Sequence, residues 1–518
     1  MGKKGGLNIM KRFNYTGTCI PEKHYIADTS KKIEKIIKMI DYGDYFTINR
    51  PRQYGKTTTI ALLSEKLKEK YIVIKLSFQG KEKESFDNVK SFSKLFMDSI
   101  NIYLKVINRE DLIIKNEINS LSELSQLITE IVNKAEAKIV LFIDEVDEAS
   151  NYQLFSKFLG MLREKYLKRN EGEDSTFHSV ILAGVHDIKN LKMKMRGSEE
   201  ISYNSPWNIA IDFEIDMSFS ASEIETMLID YEKDNNTGMN IKQMSEKLYE
   251  YTSGYPYLVS KLCYIMDEKL EKNFSENGLE EAIKIILNEN NTLFDDLIKN
   301  INRYKELYSL VERIVLEGEE ITYNVHAHNM SIMYGITRED KKHKLKINNK
   351  IFEIVLYNYM IARREIEKGS PYNYKYSGKF VVDGKLNMEL VLEKFQELMK
   401  AEYREIDEKF VEREGRLLFL AFMKPIINGV GFYFVEPETR HSNRMDVVVT
   451  YGGEKFVIEL KIWRGGKYEQ EGREQLCEYL EAQNLTKGYM LFYNFNKGKE
   501  YKIDRMEVSG KEIFEVLV

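Results

Sequence analysis

The sequence predicts an α/β chain with a distinct chemical centre toward each end, and three observations carry the prediction. From about residue 30 to 215, short apolar runs alternate with long amphipathic stretches, the pattern of a parallel sheet covered by helices. A Gly55-Lys56-Thr57 triplet stands between one such run and a helix. Near the C-terminus, two β-rich runs meet at Gly452-Gly453, and each carries a carboxylate.

The N-terminal strands are expected at 45–49, 71–78, 138–143 and 179–184, each short and mostly apolar. From about 218 to 300 the pattern is helical throughout. Residues 305–362 read as a small helical domain with a terminal strand pair. Residues 364–384 lose periodicity and carry Gly, Ser and Pro, so a linker is expected there. The segment from about 385 opens with helices and continues in strands. A chain of 518 residues exceeds one ordinary core, and about three domains are expected.

Hydrophobic residues make up 43% and charged residues 31%, which describes a globular chain rather than a disordered one. With a net charge of only −5, a nucleic-acid partner must be met by local basic patches. Cys19, Cys263 and Cys477 are far apart and form no CxxC pair, so they are expected as small buried apolar residues in a reducing compartment. No apolar run approaches the roughly 18 residues needed to span a bilayer, and no membrane partner is expected. The N-terminal MGKKGGLNIMKRF is basic without a signal-peptide apolar region, and Gly6 stands where a myristoylation signal has Ser or Thr. A cytoplasmic location is expected.

Residues 49–58 follow a strand and open a helix. Phosphate binding in such a loop needs a glycine where the backbone nears the anion, a lysine for the β- and γ-phosphates, and a hydroxyl for Mg²⁺. Gly55, Lys56, Thr57 and Thr58 are the candidate nucleotide-binding residues, although Arg50 replaces the pattern's first glycine. The run 138–143 delivers Asp144 and Glu145 at its C-terminal end, where open α/β sheets bind ligands. Asp144 is assigned with Thr57 to Mg²⁺, and Glu145 to orienting or deprotonating water. The plainer reading of these acids is a helix N-terminus continuing through Asp147 and Glu148. His186 or Asp187 is a candidate γ-phosphate reader or a plain strand end. Residues 253–258 form a Gly-x-Pro turn, either an adenine contact or a helix break.

The loop 50–58, the Asp144-Glu145 strand, 205–210 and 254–258 together resemble the bacterial AAA-like ATPase family, often fused to a nuclease-fold C-terminus. The resemblance covers about 10–365. It implies a P-loop core over 1–217, a helical lid over 218–300 and a winged-helix-like domain over 301–364, with the linker at 365–384. It also implies ATP with Mg²⁺, homo-oligomers and an arginine finger, for which Arg163 and Arg196 are weak candidates. The basic stretch Lys341, Lys342, His343, Lys344 and Lys346 is a DNA contact or a solvated charged face.

In the C-terminal pair, a two-residue turn at Gly452-Gly453 pairs Tyr451 with Glu454. Counting back sets Asp446 directly across from Glu459 and Arg444 across from Lys461. Val447, Val449, Phe456, Ile458 and Leu460 fall on the other face as core. Two opposed carboxylates repel, and a divalent cation held by oxygen ligands, Mg²⁺ or Mn²⁺, offsets the repulsion. Lys461 would stabilise hydroxide or phosphorane charge. The alternative is a surface charge ladder neutralised by Arg444 and Lys461.

Asp446 with Glu459-Leu460-Lys461 resembles the PD-(D/E)XK nuclease superfamily, and Gln475 with Tyr479 resembles the Gln-x-x-x-Tyr motif of its RecB-like branch. This resemblance covers 385–518 and implies a restriction-endonuclease-like α/β domain. It places a further acid on the preceding helix, Glu414 before Glu412. Met445 stands where the nominal motif has Pro. Arg440, His441, Arg444, Arg464 and Lys467 are phosphate-contact candidates, and Trp463 either stacks on a base or packs under the next helix. The combined expectation is an ATP-gated, metal-dependent nuclease acting on nucleic acid, DNA before RNA, with a role in defence by family analogy. A nucleotide-switched scaffold or sensor is the alternative.

Overall fold

The computed structural model describes residues 10–149, 153–185, 207–317, 321, 325–368, 380–402, 412–427, 431–436, 445–463, 465–494 and 500–518. The chain divides into two compact units. The first comprises Met1–Tyr249, Ser253–Tyr264 and Met333–Gly335, and the second comprises Glu250–Thr252, Ile265–Ile332 and Ile336–Val518.

In the first unit, α1 (Ser30–Tyr42) leads into β1 (Phe46–Asn49), α2 (Lys56–Leu67) and β2 (Ile72–Ser77). Then come α3 (Val89–Val106), α4 (Leu121–Lys134), β3 (Ile139–Asp144), α5 (Gln153–Glu171) and β4 (Ser179–Gly184). The four expected strands are all present, within a residue of their expected ends. They pair in parallel in the order β1-β4-β3-β2, and Ile211 adds a parallel bridge to Phe46 at the outer edge of β1. Ile74, Leu141 and Leu182 pack toward α3, α4 and α5, while Val73, Phe142 and Ile181 pack toward α1 and α2. Both faces are therefore apolar, which explains continuous hydrophobic runs without alternation.

The lid helices are α6 (Ala221–Asn235), α7 (Ile241–Thr252) and α8 (Pro256–Tyr264). Ser220 and Glu223 form a reciprocal capping box at the start of α6, satisfying two backbone donors there.

The second unit continues with α9 (Glu276–Asn288), α10 (Thr292–Arg303), α11 (Lys305–Glu317), α12 (Val325–Met333), β5 (Thr337–Glu339), β6 (Leu345–Ile347) and α13 (Lys350–Lys368). The expected terminal strand pair thus precedes the last helix rather than closing the domain. Asn349 stops the hairpin by capping α13 through the Phe352 N–H. Of the stretch read as a linker, 365–368 continue α13, and β7 (Val381–Val382) pairs with β8 (Lys385–Leu386).

The C-terminal part comprises α14 (Met388–Glu402), α15 (Glu412–Ile427), β9 (Gly431–Glu436), β10 (Met445–Tyr451), β11 (Glu454–Ile462), α16 (Gly466–Ala482), β12 (Lys487–Tyr493), β13 (Lys502–Val508) and β14 (Lys511–Leu517). Its six-stranded mixed sheet runs β13-β14-β12-β11-β10-β9. The helices lie on both sides. Gly472 of α16 approaches Met490 and Lys461, while Tyr493 on the other face donates to Gly415 O of α15 at 2.6 Å. Among the described residues, no helix is long and apolar enough to cross a membrane.

Candidate functional site

The phosphate loop leaves β1 at Arg50 and enters α2 at Lys56. Gln53 (φ 56°) and Gly55 (φ 80°) are both left-handed, a backbone geometry of the kind that suits anion binding. Lys56 is 6% exposed, and its Nζ donates to Arg50 O and Pro51 O, each at 2.9 Å. Burial pushes its pKa down, while Glu145, Asp147 and Asp144 draw it up. The Thr57 hydroxyl donates to Asp144 Oδ2 at 2.9 Å, bringing together the two assigned Mg²⁺ ligands across 87 residues of sequence. Both are hard oxygen donors, and Thr57 is exposed, so the pair fits Mg²⁺. Thr58 has a further partner, because its Oγ1 accepts the Cys19 N–H at 3.1 Å. Cys19 is only half-buried, unlike the buried Cys263 and Cys477.

Arg50 has a structural explanation. Its guanidinium donates to Asn49 O, Phe213 O and Ile215 O, and it lies 5.1 Å over the Phe213 ring. Asp144 Oδ1 accepts the Glu145 N–H at 2.9 Å, and Glu145 itself is left-handed at φ 53°. Burial raises the Glu145 carboxyl pKa against the pull of Lys56, as suits a group that takes up a proton. Asp147 accepts the Val185 N–H, tying the end of β3 to the end of β4. His186, Asp187 and Arg196 lie outside the described residues, while Arg163 is half-buried on α5.

In the C-terminal sheet the ladder sets Asp446 directly opposite Glu459, as the turn count requires. Lys461 Nζ lies 3.1 Å from Glu459 Oε1 and donates to Gln475 Oε1 at 2.9 Å. Glu459, Lys461 and Gln475 therefore meet beneath α16. Tyr479 follows one turn later, with its hydroxyl buried. The expected core positions Val447, Val449, Phe456, Ile458 and Leu460 are buried, but so are Val448 and Val457 on the other face. The carboxylate face is thus covered, with Glu459 only 1% exposed, rather than lying as an open charge ladder.

Of the remaining candidates, Glu412 and Glu414 sit on α15, which packs through Gly415 against the face opposite Glu459, and their side chains lie outside the described residues. The same holds for the side chains of Asp446 and Lys467, and for the whole of Arg440, His441, Arg444 and Arg464. Trp463 is half-buried at the end of β11. Lys341, Lys342 and His343 are exposed between β5 and β6, while Lys346 is engaged with Asp340 at 3.6 Å. Among the described residues, no group of three His, Cys, Asp or Glu gathers as a metal site.

Three acids that the motif count passed over share the register of Glu459. Glu436 opposes Asp446 from β9, Met490 aligns with Glu459, Glu515 aligns with Met490, and Asp504 opposes Glu515. Glu515 binds Arg473 of α16 through both oxygens, at 2.8 and 2.9 Å. No spacing rule joins these strands in sequence; only the period of two within each strand hinted at them.

No curated protein matches the chain. Among solved structures, a Walker-type ATPase of Pyrococcus abyssi is 13% identical, covering 66% of this chain and 99% of its own, with a TM-score of 0.49. Cdc6p from Pyrobaculum aerophilum is 14% identical, covering 67% and 97%, with a TM-score of 0.33. The Aeropyrum pernix ORC1 protein, solved in complex with DNA, is 9% identical, covering 65% and 94%, with a TM-score of 0.29. The model of the AAA-like domain family matches residues 20–354, a span that holds the phosphate loop, Asp144 and the lid, and the chain belongs to that family.

Proposed function

We propose that the protein binds and hydrolyses ATP at the phosphate loop and that this cycle gates a metal-dependent phosphodiester hydrolase in the C-terminal sheet. The Thr57–Asp144 hydrogen bond at 2.9 Å, beside buried Lys56, carries the first part. Bound ATP with Mg²⁺ supplies the phosphoanhydride and its charge neutralisation. Gly55 and the N-terminus of α2, with Thr58 in its first turn, present backbone donors to phosphate, and Lys56 pairs with it. Thr57 and Asp144 hold the cation, and Glu145 orients water and takes its proton.

Support for the second part comes from the opposed Asp446 and Glu459 with Lys461 alongside. Those two acids would hold Mg²⁺ or Mn²⁺, which activates water at neutral pH. Lys461, positioned by Gln475, offsets developing negative charge, with Tyr479 bordering the same helix face and Glu414 a further acid. The substrate class is nucleic acid, DNA before RNA, and a homo-oligomer acting in defence suits the pairing.

One observation favours a second reading, a nucleotide-switched scaffold. Glu459 is nearly inaccessible and already neutralised by Lys461. Incubating the protein with plasmid and single-stranded DNA, with Mg²⁺ or Mn²⁺ and with or without ATP, separates the readings. Cleavage abolished in Glu459→Ala supports the hydrolase. Metal-independent binding without cleavage supports the scaffold, and equal cleavage by Glu459→Ala defeats the site assignment.

A further inference from the structure

We infer that Tyr255, in the turn between α7 and α8, is a positioning residue that holds the phosphate loop ready for nucleotide and reports its occupancy to the lid. The inference deepens the ATP reading above and rests on it.

Three consecutive lid residues meet the loop or the lid entrance. Gly254 (φ 72°) has no room for a side chain, since a Cβ there would sit 1.8 Å from Phe219 O. Its own carbonyl accepts the Phe219 N–H at 2.8 Å, so the turn is bound to the residue just before the α6 cap. Pro256, the first residue of α8, places its ring 4.0 Å from where a Cβ on Gly55 would lie.

Tyr255 lies between them and is 1% exposed. Its ring meets Tyr54 edge-on, with centroids 4.7 Å apart and planes at 81°. Its hydroxyl donates to Arg52 O at 2.6 Å. That carbonyl belongs to the peptide joining Arg52 to Gln53. A trans peptide is planar, so its C=O and N–H point in opposite directions. Holding the Arg52 carbonyl therefore also fixes the Gln53 N–H, which points away from the Tyr255 hydroxyl.

Gln53 pays for this with a left-handed φ of 56°, a conformation that a non-glycine residue keeps only when its surroundings impose it. Tyr255 supplies part of that constraint. Coupling runs both ways, because phosphate accepting from Gln53 N–H polarises the same peptide and strengthens its bond to Tyr255. The lid turn thus tightens when the loop is filled.

The test uses the full chain and the Tyr255→Phe variant, which keeps the ring against Tyr54 and removes only the donor. ADP and ATPγS affinities are measured by calorimetry, and amide exchange over α6–α8 is followed with and without ATPγS. The expected result is a loss of affinity of about three- to tenfold, the size of one net hydrogen bond. Nucleotide-dependent protection of α7 and α8 is expected to shrink, while the melting midpoint of the free protein stays within a few degrees of wild type. Wild-type affinity together with wild-type protection in the variant would overturn the inference, as would a lowered midpoint with affinity unchanged. Failure of the wild-type chain itself to bind either nucleotide is a different outcome, and it removes the ATP reading along with the inference.

Discussion

Lys461 and Glu459, two residues apart on β11, form an ion pair at 3.1 Å beneath α16. Side chains at i and i+2 of a strand share a face, and here Glu459 is buried while Lys461 keeps only a little exposure, so each charge depends on the other. Removing one partner of a buried pair leaves a charge that costs about 3–5 kcal/mol.

Lys461→Met is therefore expected to lower the urea midpoint of the protein markedly, whichever function the C-terminal sheet performs. The hydrolase reading adds a second expectation. If Asp446 and Glu459 take a divalent cation, Mg²⁺ or Mn²⁺ restores more of the lost stability in Lys461→Met than it adds to wild type. The restoration disappears in Lys461→Met/Glu459→Gln. Thermal melts across a metal titration read this without any cleavage assay, and a metal-insensitive Lys461→Met speaks for the scaffold.

At the phosphate loop, Lys56 and Glu145 are expected to fail in different ways. On the ATP reading, Lys56→Ala removes the charge that would pair with phosphate, so nucleotide affinity is expected to fall about tenfold or more. Glu145→Gln keeps the size and the left-handed backbone but cannot accept the proton. Turnover then falls by about 10²–10⁴ with affinity nearly unchanged. Calorimetry beside a phosphate-release assay separates the two, and equal turnover in Glu145→Gln removes its role as base.

Much of this arrangement was legible from local pattern, and the rest depended on contacts distant in sequence. The hairpin register was readable because a two-residue turn at Gly452-Gly453 leaves one pairing, Asp446 with Glu459. The burial of Glu459 was not, since it depends on α16 crossing the sheet. That close approach relies on Gly472, where a Cβ would meet Met490 Cε at 2.9 Å and Lys461 Nζ at 3.0 Å. The loop triplet was plain in sequence, whereas the role of Arg50 depends on carbonyls about 165 residues away. The strand pair near 340 was expected at the end of its domain because the apolar pattern of α13 does not announce where its cap lies. Asn349 supplies that cap.

Glu515 gives a pH dependence with a definite sign. Burial pushes its carboxyl up to about 7, with Arg473 pulling down and Glu469 pushing up. Between the ordinary value of 4.5 and about 7, the folded state binds the proton that the unfolded chain releases. The stability this group contributes is therefore fully present below pH 4.5 and is lost as pH rises through 7. Urea midpoints measured at pH 5, 6, 7 and 8 should show a downward slope in wild type that flattens in Glu515→Gln. An unchanged slope in the variant assigns the pH dependence elsewhere.

Restoring the usual glycine at the start of the phosphate loop is expected to harm the protein rather than help it. The Arg50 guanidinium reaches away from the loop, donating at 2.9 Å to Asn49 O, 3.1 Å to Phe213 O and 2.7 Å to Ile215 O. The Phe213 ring beneath it stacks on Phe46 of β1 at 5.9 Å, so one side chain joins the loop, the first strand and the entrance to the lid. Burial lowers the Arg50 pKa, with Tyr54 and Asp216 partly compensating, so the charge is held by these contacts rather than by water. Arg50→Gly removes all of them and frees the backbone where β1 enters the loop, at a cost of about 2–4 kcal/mol. The expected readout is a lower urea midpoint with ATPγS affinity within about threefold of wild type at temperatures where the variant is folded. The reverse result, wild-type stability with nucleotide affinity lost, would make Arg50 a phosphate ligand and would require its guanidinium to leave Phe213 and Ile215 when nucleotide binds.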